Sequence, residues 1–310
     1  MSANLETMFY TREKPWHGLG TMVMEAPASA EALALAGLDW QVIQKPIETE
    51  DGIPITGFKA NIRDMDEKVL GVVSDRYKVV QNEEAFAFTD GLLGEGVTYE
   101  TTGSLQEGRR TWLLAKLPQR YIISGDEIEA YLVFMNSHDG TGGIKAAVTP
   151  IRVVCQNTLN LALANAKRSW SANHTGNIEG KMEDARNTLL YTSMYMGELG
   201  KAIEELSRIK MTDHQVYEYI DALFPLLDKP TEQQRKNLMR MKEDLKIRYF
   251  EAPDLKFVGK HGWRFLNAVS DFATHAKPLR ERANYKESLF ARTVEGNAII
   301  DKAYELVRAR

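Results

Sequence analysis

The stretch of this chain richest in groups that can do chemistry runs Met135-Asn-Ser-His-Asp-Gly-Thr-Gly-Gly-Ile-Lys145. Gly140, Gly142 and Gly143 allow the backbone to turn tightly and to expose N–H groups, the geometry of an anion-binding nest. Pro150 suits the first turn of a following helix, and Arg152 stands near that helix's positive end, so phosphate is the ligand such a loop would hold. The competing reading is a hairpin loop in which His138 and Asp139 hydrogen-bond the turn. It is not a P-loop, because no Gly-Lys-Ser/Thr closes it.

Charge bears on the choice. Between residues 140 and 178 there is no aspartate or glutamate, while Lys145, Arg152, Lys167 and Arg168 occur with Trp170 and His174. The whole chain has 39 Lys and Arg against 43 Asp and Glu, so a surface built from this run would be positive on an acidic protein. Anion-facing cations are one reading and ordinary solvated charges the other. Arg109 and Arg110 add cations on a hairpin. Tyr77, between Arg76 and Lys78, is placed either to stack on an unpaired base with phosphate contacts on both sides or to stand outward on a strand edge. A second basic and aromatic stretch spans residues 255–292 and includes Lys256, Phe257, Lys260 and Arg264. At helical spacing, its Phe265, Val269 and Phe272 read as core.

Signals for catalysis are sparse. The six histidines show no His-x-x-x-His pairing, and no Cys-x-x-Cys is possible with the single Cys155. Cys155 falls in an apolar segment, where an inert thiol is the default. No Gly-x-Ser-x-Gly elbow is present. His138 and Asp139 are adjacent in a turn and do not point at one atom. No catalytic residue, metal or cofactor is expected, and the chain is not read as an enzyme.

The elements that must position these groups fall into an α+β pattern: an antiparallel, strand-rich N-terminal half with a hairpin-strand-helix core, and a helical C-terminal half. Ser29 caps a short helix to residue 36, stopped by Gly37. Alternation predicts strands at 40–47, 53–62 and 69–74, and a helix over 82–93 capped by Asn82. Strands follow at 97–104, 109–117, 128–136 and 144–149, then an apolar helix over 151–166. Helices are predicted over 179–206, 213–227, from a Thr231/Gln234 capping box to 249, 262–276 and 295–309. The Ser-, Asn- and Gly-containing segment 169–180 reads as a hinge between a domain of residues 1–178 and a helical domain or extension of 179–310. With 310 residues, 44% of them hydrophobic, the chain can build a real core. One cysteine, no apolar stretch of membrane-spanning length and a polar N-terminus predict a soluble, cytoplasmic protein.

The segments Pro15-Trp-His-Gly-Leu-Gly20, Val73-Ser-Asp-Arg-Tyr-Lys-Val-Val-Gln-Asn82, Asn136-Ser-His-Asp-Gly-Thr and Arg152-Val-Val-Cys-Gln-Asn157 together resemble the phage/plasmid-like family of unknown function. His174-Thr-Gly, Leu289-Phe and Glu295-Gly also fit its pattern, so the resemblance covers most of the chain. It implies a mobile-element protein rather than a particular activity. The order hairpin, third strand, long helix is similar to that of phage single-strand annealing proteins of the Red-beta type, whose core lines a basic groove for DNA. That likeness is in element order, not in a residue motif. It implies a DNA-binding recombination protein that oligomerises on single-stranded DNA in the host cytoplasm and promotes annealing. Arg76, Tyr77, Lys78, Arg109, Arg110, Lys145, Arg152, Lys167, Arg168 and Trp170 would touch the strand. The alternative is a protein-binding effector that docks on a host protein to inhibit defence.

Overall fold

The computed structural model describes residues 5–11, 21–25, 27–93, 98–152, 157–158, 161–163, 168–226, 228–276 and 296–309. The fold is α+β, with strands concentrated in the N-terminal half and helices in the C-terminal half. Two compact units form. The first comprises Met1–Gln119, Ala130–Val148 and Arg168–Thr192; the second comprises Arg120–Glu129, Thr149–Lys167 and Ser193–Arg310. Among the described residues no helix is long and apolar enough to cross a membrane.

The strands of the larger sheet are β1 (Leu5–Thr11), β2 (Thr21–Val23), β6 (Thr98–Leu105), β7 (Arg110–Ile123), β8 (Asp126–Ser137), β9 (Ile144–Arg152), β10 (Asn157–Thr158) and β11 (Ser169–Ala172). They lie in the order β10-β9-β8-β7-β6-β1-β2, with β11 also on β9. The β6-β7-β8 run arises where the alternation predicts hairpins. β7 and β8 are longer than expected because Ser124 and Gly125, at φ 51° and 85°, make a tight turn that lets both strands continue to it. Phe9, Tyr99 and Phe134, each at most 1% exposed, lie in the core of the first unit.

A three-stranded sheet, β3 (Val42–Glu48), β4 (Pro54–Arg63) and β5 (Lys68–Ser74), matches the three strands read from alternation. One face carries Gln44, Asn61, Gly71 and Val73 inward. The other carries Ile43, Phe58, Val69 and Val72, all exposed. α1 (Ser29–Leu35) and α2 (Asn82–Leu93) also belong to this unit. Ser29 is the first helical residue of α1 rather than its cap, a position held by Ala28 without a side-chain bond.

The predicted helix over 151–166 is overturned among the described residues of that segment. Residues 151–152 complete β9, and Asn157–Thr158 form β10 against them. The physical reason is legible afterwards: Val148, Thr149, Ile151, Val153 and Val154 are a dense β-branched run, which prefers the pleated conformation. Pro150 lies within a strand, not at a helix start. The segment read as a hinge holds β11, paired to β9, and the start of the next helix.

The helical half is α3 (Ile178–Leu190), α4 (Thr192–Arg208), α5 (Asp213–Leu223), α6 (Glu232–Glu251), α7 (Gly262–His275) and α8 (Ala298–Arg308). What reads as one helix over 179–206 is two, broken at Tyr191. The Thr231/Gln234 capping box forms, and a second one, Thr212 with Gln215, starts α5. α7 is the centre of the second unit: its nine residues from Gly262 to Ser270 are all buried. Phe265 and Val269 are fully buried, as their spacing predicts.

Close approach of backbones requires glycine at position 71, among others. A Cβ on Gly71 of β5 would stand 2.6 Å from the Asp139 backbone, whereas one on Gly197 in α4 would meet nothing. Gly71→Ala is therefore expected to lower unfolding stability by about 1–3 kcal/mol. Gly197→Ala should be neutral or stabilise by up to about 1 kcal/mol, because alanine is the better helix former. Urea denaturation of both variants checks this, and equal effects would refute the clamp.

Candidate functional site

Three of the motifs singled out in the sequence meet in the first unit. The turn after β5 carries Tyr77 inward, 6% exposed, where its hydroxyl donates to the Ser137 carbonyl at 2.5 Å. Its ring stacks on His174, with centroids 4.5 Å apart and planes 15° from parallel. Lys78 N donates to the His174 carbonyl at 2.7 Å, and Tyr77 and Thr175 form an isolated antiparallel bridge. Asn136 Nδ2 donates to the Val80 carbonyl at 2.8 Å. Asn61 Nδ2, from the small sheet, reaches the His138 carbonyl at 2.7 Å, while His138 N donates to the Arg109 carbonyl at 2.7 Å.

The hydrogen bonds assign both histidine tautomers. His174 Nδ1 lies 2.9 Å from the Lys78 carbonyl, which only accepts, so Nδ1 bears the proton. His138 Nε2 faces Asn82 Oδ1 at 3.2 Å. The Asn82 amide nitrogen is committed to the Leu38 and Trp40 carbonyls, so its oxygen accepts and Nε2 donates. Asn82 therefore holds His138 rather than capping α2. Each imidazole is left with one bare acceptor nitrogen, His138 Nδ1 and His174 Nε2, buried without a partner among the described residues. Burial drives both pKa values down, His138 to about 3. His174 disfavours a charge on His138, and the Lys181 ammonium disfavours one on His174. Both are neutral at pH 7, and His138 is too weak a base to act as a proton acceptor there.

His138 and Asp139 do not form an acid–base pair. Asp139 Oδ1 accepts from Ser137 Oγ at 2.6 Å, Thr141 N at 2.8 Å and Thr141 Oγ1 at 2.7 Å, which holds its carboxyl below the usual range against the effect of burial. Gly142 N donates to Ser137 Oγ at 3.2 Å. The Thr141 and Gly142 N–H groups thus bind the chain's own carboxylate and hydroxyl, the arrangement of the hairpin-loop reading, with Asp139 bonding the turn. The glycines serve close packing: a Cβ on Gly140 would stand 2.9 Å from Val73, and one on Gly143 2.5 Å from the Ala172 carbonyl. Among the described residues no group of three or more His, Cys, Asp and Glu gathers to hold a metal.

The described side chains among the site residues expected from the sequence separate into three sets. Arg76, Lys78 and Arg109 are exposed; Arg110, Lys145 and Trp170 are half-buried. Arg110 Nη2 donates to Thr141 Oγ1 at 3.2 Å, and Lys145 and Trp170 lie on the paired strands β9 and β11. Tyr77 and Arg168 are interior. Tyr77 is closed off by His174 and so offers no face to a base, and Arg168, 8% exposed, donates to the Val148 carbonyl at 3.3 Å. Lys167 lies outside the described residues, as do the side chain of Arg152, Cys155, the segment 15–20 and the basic residues of 277–292. Sequence reasoning missed Lys181, whose Nζ donates to the Asn173 and Thr175 carbonyls at 3.0 and 2.5 Å. Nothing local marks it; only the fold brings α3 over the His174 segment.

Residues 69–298 match the model of a domain of unknown function, DUF932. The chain belongs to the DUF932 family. The match begins inside β5 and ends in α8, so it takes in the Tyr77, His138 and His174 segments. No curated protein and no solved structure matches the chain.

The two neutral imidazoles make the DUF932 cluster acid-sensitive. In the unfolded chain they protonate near the ordinary value of about 6.5; in the folded protein His138 does so only at about 3 and His174 below its ordinary value. Their contribution is complete above pH 6.5 and drains as pH falls towards the folded values. Stability should drop between pH 6.5 and 4.5, above the carboxylate range, by up to about 1.4 kcal/mol per pH unit for His138, with His174 adding in the same direction. Urea titrations at stepped pH test this; a flat profile across that window would refute it.

Proposed function

We propose that this DUF932 protein is a phage/plasmid-type, single-stranded-DNA-binding recombination protein that oligomerises along the strand and promotes annealing in the host cytoplasm. The observation that carries the reading is the gathering of cations from separate segments around one rigid loop. Arg76 and Lys78 flank inward-pointing Tyr77, Arg109 accepts the His138 N–H through its carbonyl, Arg110 bonds Thr141, and Lys181 caps the His174 turn. Arg76, Lys78 and Arg109 form no ion pair among the described residues, on a chain whose net charge is −4. Cations held on a stiff scaffold neutralise phosphates without base preference, and no covalent step is required. Tyr77 and Arg168 drop out as groups that touch the strand. Trp170, half-buried on β11 opposite Ala146, is the aromatic left.

A second reading, a mobile-element effector that docks on a host protein, is favoured by one observation. The outer face of the β3-β4-β5 sheet exposes Ile43, Phe58, Val69 and Val72, at 37, 50, 51 and 55%. A contiguous apolar sheet face of this kind suits a protein partner.

Replacing Arg76, Lys78, Arg109 and Arg110 by alanine is expected to weaken oligonucleotide binding for every sequence and to flatten the salt dependence by up to about 3 log units per log unit of salt. Glu218→Gln with Glu243→Gln, on α5 and α6, should do neither. Fluorescence anisotropy against salt decides it: absence of binding by the parent at low salt removes the DNA reading and leaves the effector reading. Independently, light scattering at micromolar protein should report species well above the 35.1 kDa monomer once oligonucleotide is added. A monomer under all conditions would sink the annealing mechanism.

A further inference from the structure

The second unit has a basic concavity of its own. After α4 ends at Arg208, the chain runs beside the segment that leads into α7: Met211 N donates to the Lys260 carbonyl at 3.0 Å, and Lys210 bridges His261. The concavity between them measures about 600 Å³ and is lined by Arg208, Lys210, Met211, Gly259, Lys260 and His261. A neighbouring one of about 670 Å³ shares Arg208 and Lys210 and adds Arg308 and Glu205. Acids are near: Lys260 pairs with Asp213 at 2.7 Å, Arg308 with Glu205 at 3.4 Å and Arg208 with Glu204 at 3.8 Å. These are exposed pairs, weak enough to exchange for another anion. His261 Nδ1 accepts from Arg264 N at 3.3 Å, so the proton sits on Nε2, on the Gly259 side, as a neutral donor.

Phe257, two residues before the lining Gly259 in the chain, is 92% exposed. Its loop is not loose. Leu255 is buried, Val258 N donates to the Leu255 carbonyl at 3.0 Å, and buried Arg264 donates to the Val258 carbonyl at 2.8 Å. A loop pinned on both sides of Phe257 therefore presents the ring to water, with the Lys256 ammonium 5.9 Å from its centre and Lys260 three residues on. The second basic and aromatic stretch of the sequence thus divides: Trp263, Arg264 and Phe265 go inside, while Lys256, Phe257 and Lys260 stay out. An exposed ring flanked by cations, close in the chain to a concavity lined by cations, matches what an unpaired nucleotide needs: a face for the base and charge for its phosphates.

We infer that the Phe257 loop and the Arg208–Lys210–Lys260 concavity form a binding site for single-stranded nucleic acid, with Phe257 stacked on one base and the cations on the adjoining phosphates. The site takes its ligand class from the function proposed above but uses none of the residues of the first unit. Anisotropy with a labelled oligothymidylate of about 20 nucleotides tests it on the full chain. Phe257→Ala should weaken binding by about 5- to 100-fold, the worth of one stacked base. Arg208→Glu with Lys210→Glu should weaken it at least tenfold and lower the salt slope by about 1.4, because two phosphates then keep their counterions. Phe257→Trp supplies an indole whose fluorescence oligothymidylate should quench. All three positions are exposed, and circular dichroism checks that each variant folds. If the parent binds while these changes leave affinity, slope and indole emission unaltered, the site is overturned and the first-unit reading stands. If the quadruple alanine variant of the first unit still binds and the indole is still quenched in that background, this site stands and the other fails. No binding by the parent at low salt overturns both.

Discussion

The carbonyls of Ser137 and His138 leave the end of β8 in a place that water does not reach, and much of the first unit is arranged to give them donors. Tyr77 supplies the hydroxyl, Asn61 the amide, and the Arg109 carbonyl takes the His138 N–H in exchange. A buried polar group left without a partner costs on the order of 1–3 kcal/mol. Satisfying these groups from the small sheet, the turn after β5 and the β6-β7 hairpin ties three segments into one network. Because the network requires Tyr77 inside, Arg76 and Lys78 must stand outside.

The same constraint bears on the glycine-rich loop. The Thr141 and Gly142 N–H groups bind Asp139 and the Ser137 hydroxyl, and the Asp139 backbone lies against Gly71 too closely for any side chain there. The loop is a rigid floor. Arg76, Lys78 and Arg109, on the segments bonded to it, are exposed.

The second unit solves a related problem with a cation. Arg264, 8% exposed, donates to the Tyr249 carbonyl through Nε and Nη2, and to the Val258 carbonyl through Nη1. These hydrogen bonds and the Tyr249 ring, 5.0 Å away, make a buried guanidinium tolerable. In return the end of α6 and the Phe257 loop are held in place. In each unit one interior polar side chain fixes a loop, and the exposed residues on that loop face outward as a consequence.

Much of this was legible in the sequence and some was not. The α+β division, the hairpins of β3 to β8 and the Thr231 capping box follow from local pattern, because alternation, turn residues and caps act over a few residues. Residues 151–152 and 157–158 show the limit: an apolar run reads as helix by length, and its β-branched content becomes decisive only when β9 and β10 have each other to pair with. Arg76-Tyr77-Lys78 shows another. The sequence determines that neighbours in an extended segment face opposite ways, but not which of them faces in. That was decided by His174, nearly a hundred residues away, whose ring covers Tyr77 and leaves the flanking cations to the solvent. Period is a local property of the chain, whereas phase depends on what lies across from it, and only the tertiary structure supplies that.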